Sequence, residues 1–299
     1  MTGAGRAFHF LVNPASGGGK APAAAVPVAR LLRDSGARVE VTYSTGPVAC
    51  ADLARASAAR GDVVVAVGGD GMLASVAGPV VDADGVLGVL PSGRGNDFAR
   101  MLGLPDQPAD LARVLLEGVP ERVDVVDVGG RTVLGSVYAG VDSLASEIVD
   151  RSQRLPRSVQ YPYAAVRSIL GFIPACFTVE VDGERREEEA YTVVVANSGY
   201  YGAGMHVAPD ASVTDGLLDV IVVRAASKLR LVRSMPKLYA GTHVALDEVT
   251  VLRGTEVRLS ATRPLTAYGD GERLAPLPLT ASVRPRRTVT SSSATWVPA

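Results

Sequence analysis

Three stretches of the chain place glycine and polar residues directly after apolar runs: NPASGGGK at 13–20, GGDGM at 68–72 and PSGRGNDF at 91–98. Glycines let backbone N–H groups approach an anion closely, and a helix N-terminus just downstream adds favourable electrostatics, so all three suit phosphate. Taken singly, each is also an ordinary turn built from Gly, Asn and Ser. GGDGM fits that reading least, because a simple strand-to-helix turn needs one glycine and Asp70 has three around it. Asp70 either caps the following helix or holds a Mg2+ ion beside bound phosphate, directly or through water. Asn96 and Asp97 could likewise only start a helix. Farther on, YGDGERL carries Asp270 and Glu272, and DASVTDGLLD carries Asp215. By residue type alone these are a GDG hairpin turn and a D-G turn between strands. An EF-hand is excluded at the second, since its obligatory sixth-position Gly is Asp215 when counted from Asp210.

The elements around these loops say how they would be positioned. RAFHFLVNP, ARVEVTYST, DVVVAVGG and GVLGVLP read as strands, and APAAAVPVARLLRDSG, VACADLARASAARG, MLASVAGPVV and DFARMLGLP read as helices between or after them. Such alternation indicates a parallel sheet covered on both faces. The Gly-rich loops all follow strands, and C-terminal strand ends form the ligand crevice of an open α/β sheet, so the loops should converge. From about Val123 strand-like runs dominate, as in FTVEVDGE, EAYTVVVANSG and EVRLSATRP, which implies an antiparallel sandwich or barrel. Two helical segments interrupt it, RSQRLPRSVQYPYAAVRSILGF and SKLRLVRSMPKLYAGTH, each with Arg or Lys beside apolar residues. They could rest on anionic lipid, or pack on the sandwich with a solvated charged face.

Composition narrows the function classes. A chain of 299 residues with 47% hydrophobic content can bury one large core or two moderate ones. A net charge of -1 gives no overall electrostatic reason for a nucleic-acid partner. Cys50 and Cys176 are isolated, without the spacing of a zinc site or redox pair, and are expected as free thiols in a reducing cytoplasm. No stretch reads as a signal peptide or a transmembrane helix, so membrane contact is expected to be peripheral, at the inner face. A Walker A loop fails at Pro14 and Ala21. Gly69, Gly71 and Ala74 satisfy G-x-G-x-x-A, but the acid that a dinucleotide fingerprint wants near the end of the next strand is missing. His9, His206 and His243 lack a local catalytic context.

As a set, NPASGGGK, VAVGGDGMLASV and PSGRGNDFAR resemble the catalytic domain of diacylglycerol kinases and sphingosine kinases, nearest the soluble bacterial lipid kinases. The resemblance continues through YYGAGMHVAPDASVTDGLLDV and YGDGERL and so covers nearly the whole chain. It implies an α/β nucleotide-binding domain of NAD-kinase and phosphofructokinase type over 1–122, completed by about 276–289, and a lipid-binding β-sandwich over 123–275. Residues 290–299 read as a disordered tail. It also implies an active site in the cleft between the domains, ATP and Mg2+ as cofactors, and a lipid substrate met at a membrane surface; a homodimer is compatible with the sequence.

Carried over by position, Asn13, Ser16, Gly17, Thr42, Gly68, Gly69, Asp70, Gly71 and Met72 would contact nucleotide, with Ser92, Gly93, Arg94, Asn96 and Asp97 from the third loop. Asp70, Asp97 and Asp124 resemble the acids around catalytic Mg2+, with Asp127 as the other register of VDVVDVGG. Asp215, with the carbonyls of Ser212 and Leu217, resembles a structural Mg2+ site. Glu272 matches the family's proton acceptor, with Asp270 beside it on the same face if the segment stays extended. Two positions depart from the pattern: Met72 and Arg94 stand where the family has Thr. The implied reaction moves the γ-phosphate of ATP to a lipid primary hydroxyl, diacylglycerol first and a sphingoid base second. A kinase for a soluble alcohol such as NAD, or a nucleotide-binding regulator without catalysis, are the other readings.

Overall fold

A computed structural model of the chain describes residues 5–152 and 157–291 and divides them into two compact units. The first comprises residues up to Val125, together with Gly202–Gly204 and the chain from Arg284 onward. Its strands are β1 (Ala7–Val12), β2 (Arg38–Tyr43), β3 (Val63–Gly68), β4 (Val86–Pro91) and β5 (Pro120–Val128), the last continuing a little beyond the unit. β4, β3, β1 and β2 lie side by side in that order, all parallel. The helices α1 (Ala21–Asp34), α2 (Pro47–Ala59), α3 (Asp70–Asp82), α4 (Asp97–Met101) and α5 (Pro108–Glu117) make the crossovers.

The apolar runs of β1 and β3 are buried almost throughout, as expected of strands covered on both faces. Phe8, Phe10, Val12, Val65, Val67 and Leu90 of the sheet pack against Val28 and Leu32 of α1 and Leu111 and Leu115 of α5. α5 carries no Gly-rich start and was not expected from PADLARVLLE, though its apolar positions 111, 114 and 115 repeat with helical spacing. Because β1 is flanked by β2 on one side and β3 on the other, the chain reverses its winding direction there. The loops after β1 and β3 flank that switch point, where such sheets bind ligands.

The second unit holds Val126–Tyr201 and Met205–Val283. After β6 (Arg131–Val133) and β7 (Ser136–Gly140) come two helices, α6 (Val141–Arg151) and α7 (Arg157–Gly171). The unit continues with β8 (Ala175–Val181), β9 (Glu184–Ala196), the short pair β10 (Tyr200–Tyr201) and β11 (Met205–His206), and β12 (Leu218–Arg224). Then follow α8 (Lys228–Tyr239), β13 (Val249–Gly254), β14 (Glu256–Ala261), β15 (Thr266–Gly269), β16 (Glu272–Pro276) and β17 (Leu279–Ser291). Pairing within this unit is antiparallel: β16, β15, β7, β9, β8, β14 and the start of β17 are successive neighbours, and β12 joins β9 to β13.

β8 alternates buried and half-buried residues, the pattern of a strand with one covered face. The second half of β9 and most of β12 are covered on both faces: Val193, Val195, Leu218 and Val220 enter the main core, whereas Val194, Ala196 and Ile221 join Tyr138 and Tyr268 in a second cluster. From Arg284 on, β17 belongs to the first unit and pairs parallel with β4 through Val289 and Thr290. The expected tail therefore overlaps the end of β17, and its remainder, 292–299, lies outside the described residues.

Candidate active site

The three Gly-rich loops of the first unit do meet, and the contacts are made where side chains are missing. A Cβ on Gly17 would stand 2.2 Å from the carbonyl oxygen of Ser92, and one on Gly93 would stand 2.3 Å from the Cα of Gly69. Ser16 Oγ accepts from the Gly69 amide at 3.3 Å, and the Ser92 amide donates to the Gly68 carbonyl at 2.8 Å. Gly17, Gly18 and Gly19 all have positive φ, and Gly18 has open space where a side chain would be. Asn13 Oδ1 accepts from the Ala15 amide, and Asn96 braces its loop by accepting from and donating to the backbone of Gly93. α3 begins at Asp70, so the positive end of a thirteen-residue helix faces this cluster. Ser92 Oγ is buried with no hydrogen-bond partner among the described residues, a donor set beside anion-seeking amides.

Asp70 and Asp97 are brought together around Gly95, whose Cβ would lie 2.8 Å from Asp70 Oδ2 and 3.1 Å from Asp97 Oδ2. Asp70 Oδ1 accepts from the amides of Asp97 and Phe98, capping α4 from another loop. Asp97 accepts from the Ala203 and Gly204 amides at 2.9 and 2.7 Å, which ties the 202–204 excursion into this unit. Burial raises the proton affinity of both carboxyls, and for Asp97 the neighbouring Asp70 charge adds to it. Two crowded, buried oxygen donors of this kind suit a hard divalent cation such as Mg2+. Asp124 is fully buried in β5, and Asp127 instead accepts from the Gly130 amide in the β5–β6 hairpin. Among the described residues, no three His, Cys, Asp or Glu side chains form a metal-holding group.

Thr42 is held by a residue that the sequence left without a role. Ser57 Oγ donates to the Leu53 carbonyl, so it accepts from His9 Nδ1 at 2.5 Å, and His9 Nε2 then accepts from Thr42 Oγ1 at 2.8 Å. This network assigns the tautomer and leaves Thr42 only acceptor capacity for a further partner. Burial pushes the His9 imidazole below its ordinary value, which keeps it neutral in that role. Met72 is 5% exposed and its sulfur lies 3.8 Å from Cys50 Sγ between α2 and α3. Only its backbone can face a ligand at the loop. Arg94 is exposed at the tip of the third loop.

In the second unit, the segment with Asp270 does not stay extended. Asp270 and Gly271 have φ of 49° and 85° and form the two-residue turn of the β15–β16 hairpin, with Gly269 opposite Glu272. The Asp270 carboxylate turns back and accepts from three successive amides, Leu134 at 2.8 Å, Gly135 at 2.9 Å and Ser136 at 3.1 Å. Asn197 holds the same loop from another side, donating to the Leu134 carbonyl at 2.7 Å. The Asp270 carboxylate is thus engaged by backbone amides, and Glu272 is the exposed carboxylate of the pair.

Sequence reasoning missed Asp142, in the first turn of α6. Thr192 Oγ1 donates to it at 2.7 Å, the Tyr201 hydroxyl also bonds to it, and burial raises its carboxyl. The available signal was an acid directly after an apolar strand at a helix start. At the expected structural cation site, Asp215 accepts from the Leu217 amide and is ion-paired with Arg253 Nη2 at 2.5 Å. Arg253 Nε also meets buried Asp219 at 3.1 Å, and Ser212 Oγ bonds Thr214. The positive partner of these acids here is a guanidinium.

Two family models match the chain: the diacylglycerol kinase catalytic domain over residues 7–128, and the YegS C-terminal NAD kinase beta sandwich-like domain over 135–289. A diacylglycerol kinase of Mycobacterium tuberculosis is 32% identical over 283 residues, 92% of this chain and 91% of that protein. A probable lipid kinase YegS-like of Pseudomonas putida is 28% identical, over 79% of this chain and 82% of that protein. A crystal structure described as a putative diacylglycerol kinase from Bacillus anthracis superposes with a TM-score of 0.83, covering 98% of this chain and 96% of that one. At 18% identity that likeness shows the fold.

Proposed function

The chain belongs to the diacylglycerol kinase family and is a lipid kinase of that type, and we propose that it transfers the γ-phosphate of ATP to the primary hydroxyl of diacylglycerol. The observation that carries this reading is the side-chain-free meeting of three loops at the strand ends, with Asp70 and Asp97 beside it. The amides of Gly17, Gly18 and Gly71, the Ser92 hydroxyl and the N-terminus of α3 bind the nucleotide phosphates. Thr42, oriented by His9, accepts a hydrogen bond from the nucleoside. Asp70 and Asp97 would hold Mg2+, directly or through water, with Asp124 in support, and the ion would supply charge neutralisation for the transferring phosphoryl group. Glu272 takes the proton of the acceptor hydroxyl, and Asp270 fixes the hairpin that presents it.

The domain assignment follows the same roles, with nucleotide held by the first unit and lipid by the second, on the cytoplasmic side of the membrane. Met72 does not argue for a silent regulator, since its side chain is committed to packing against Cys50. The test is incubation of the purified protein with labelled ATP, Mg2+ and a mixed lipid extract. Labelled phosphatidic acid is the expected product. A different labelled lipid would reassign the acceptor, and no labelled lipid would overturn the proposal.

A further inference from the structure

Two helices of the second unit keep their apolar stripes on the outside. On α7 the side chains of Gln160, Ala164, Ser168 and Ile169 are buried, whereas Tyr163, Val166 and Leu170 are exposed at i, i+3 and i+7, with Ile173 just beyond the helix. α8 repeats the spacing: Leu229, Val232, Pro236 and Tyr239 are exposed, and none of its residues is buried. A helix on a soluble domain ordinarily turns such a stripe inward. Here Val166 is 57%, Leu170 62% and Leu229 59% exposed. The two stripes adjoin, because Lys228 at the start of α8 donates to the Leu170 carbonyl in the last turn of α7.

Along the two helices themselves charge has one sign, and the acid that meets them, Glu248, is paired with Arg230 near the start of α8. The sequence has no Asp or Glu between Arg151 and Val179, nor between Val220 and Leu246. Arg167, Arg233 and Lys237 are exposed beside the apolar positions, and Arg263 lies over the Phe172 ring at 4.7 Å at the same end. A second copy of the chain seated on this face would set cations against cations, whereas anionic headgroups above acyl chains complement both features.

We propose that the joined faces of α7 and α8 dock the protein on an anionic bilayer, with Val166, Leu170, Ile173, Leu229 and Val232 at the acyl boundary and the basic residues among the headgroups. The proposal rests on the lipid-kinase reading, because it brings the enzyme to the surface where its acceptor resides.

Flotation with vesicles of phosphatidylcholine, with and without phosphatidylglycerol, tests it. The wild type is expected to float with the anionic vesicles and to be released by high salt. Val166→Asp with Leu170→Asp should cut partitioning by about tenfold or more, and Arg233→Glu with Lys237→Glu by about fivefold for each basic charge lost. Both variants should phosphorylate a short-chain diacylglycerol dissolved as monomer at the wild-type rate, which also shows that they are folded. Undiminished flotation of either variant would overturn the proposal. So would a wild type that phosphorylates monomeric lipid but never binds vesicles, and so would a dimer that Leu170→Asp dissociates in the absence of vesicle binding. Vesicle binding without phosphorylation of any lipid would support docking and count against the kinase reading alone.

Discussion

At the residue scale the proposed metal site rests on two carboxylates, Asp70 and Asp97. Asp70 and Asp97 have raised proton affinity from burial, so in the folded protein they bind protons more tightly than in the unfolded chain. Their contribution to stability is therefore greatest at low pH and falls as pH climbs from the ordinary value of 3.8 through the raised native values. A divalent cation removes that cost where the groups are charged. Thermal melts should show stabilisation by Mg2+ that is larger at neutral pH than near pH 4, and Asp70→Asn should stabilise the Mg2+-free protein while abolishing the Mg2+ response. Equal Mg2+ responses of wild type and variant would remove Asp70 from the metal site. His9 has the opposite sign: its depressed value stabilises the fold above 6.5, and this is lost as pH falls through the native value. Protonation also ends its acceptance from Thr42. KM for ATP should consequently rise as pH falls below that window in the wild type, while Thr42→Val gives a KM already raised about fivefold and less dependent on pH.

Elements position these groups through close backbone approaches, and two substitutions probe that directly. Gly93→Ala would drive a methyl into the backbone of Gly69. It should cost about 1–3 kcal/mol of stability and raise KM for ATP, measured by denaturant unfolding and steady-state kinetics. At the other element pair, Arg253→Gln leaves Asp219, 2% exposed, without its cation partner. Allowing for the partial exposure of Arg253, a loss of about 2 kcal/mol is expected. If Arg253 takes the place of a structural ion, added Mg2+ should restore part of this loss in the variant and leave the wild type unchanged. The strand-loop-helix units carrying these sites were legible because glycine clusters interrupt runs of Val and Ala. α6 was not, since VDSLASEIVDR follows a strand with no turn residue but Gly140 to separate them. The role of Asp270 was hidden for a different reason. Its ligands are amides of Leu134, Gly135 and Ser136, more than 130 residues away, and amides leave no mark in a sequence.

For the whole molecule, the division into a parallel α/β unit and an antiparallel unit was readable from periodicity, as 3.6-residue and two-residue patterns change near Val123. The return of the chain end to the first unit came from resemblance alone, and Gly202–Gly204 joining that unit through Asp97 was foreseen by neither route. Burying both faces of the second half of β9 and most of β12 explains why these stretches are continuous apolar runs rather than strict alternation. In the proposed kinase reaction the acceptor proton goes to Glu272. The most direct measurement is diacylglycerol phosphorylation in mixed micelles by the wild type and Glu272→Gln, with ATP binding followed in parallel by calorimetry. The expected result is phosphatidic acid from the wild type and turnover lower by about a hundredfold or more in the variant, with ATP affinity unchanged. A variant as active as the wild type, or a wild type that binds ATP and transfers nothing to lipid, would contradict it.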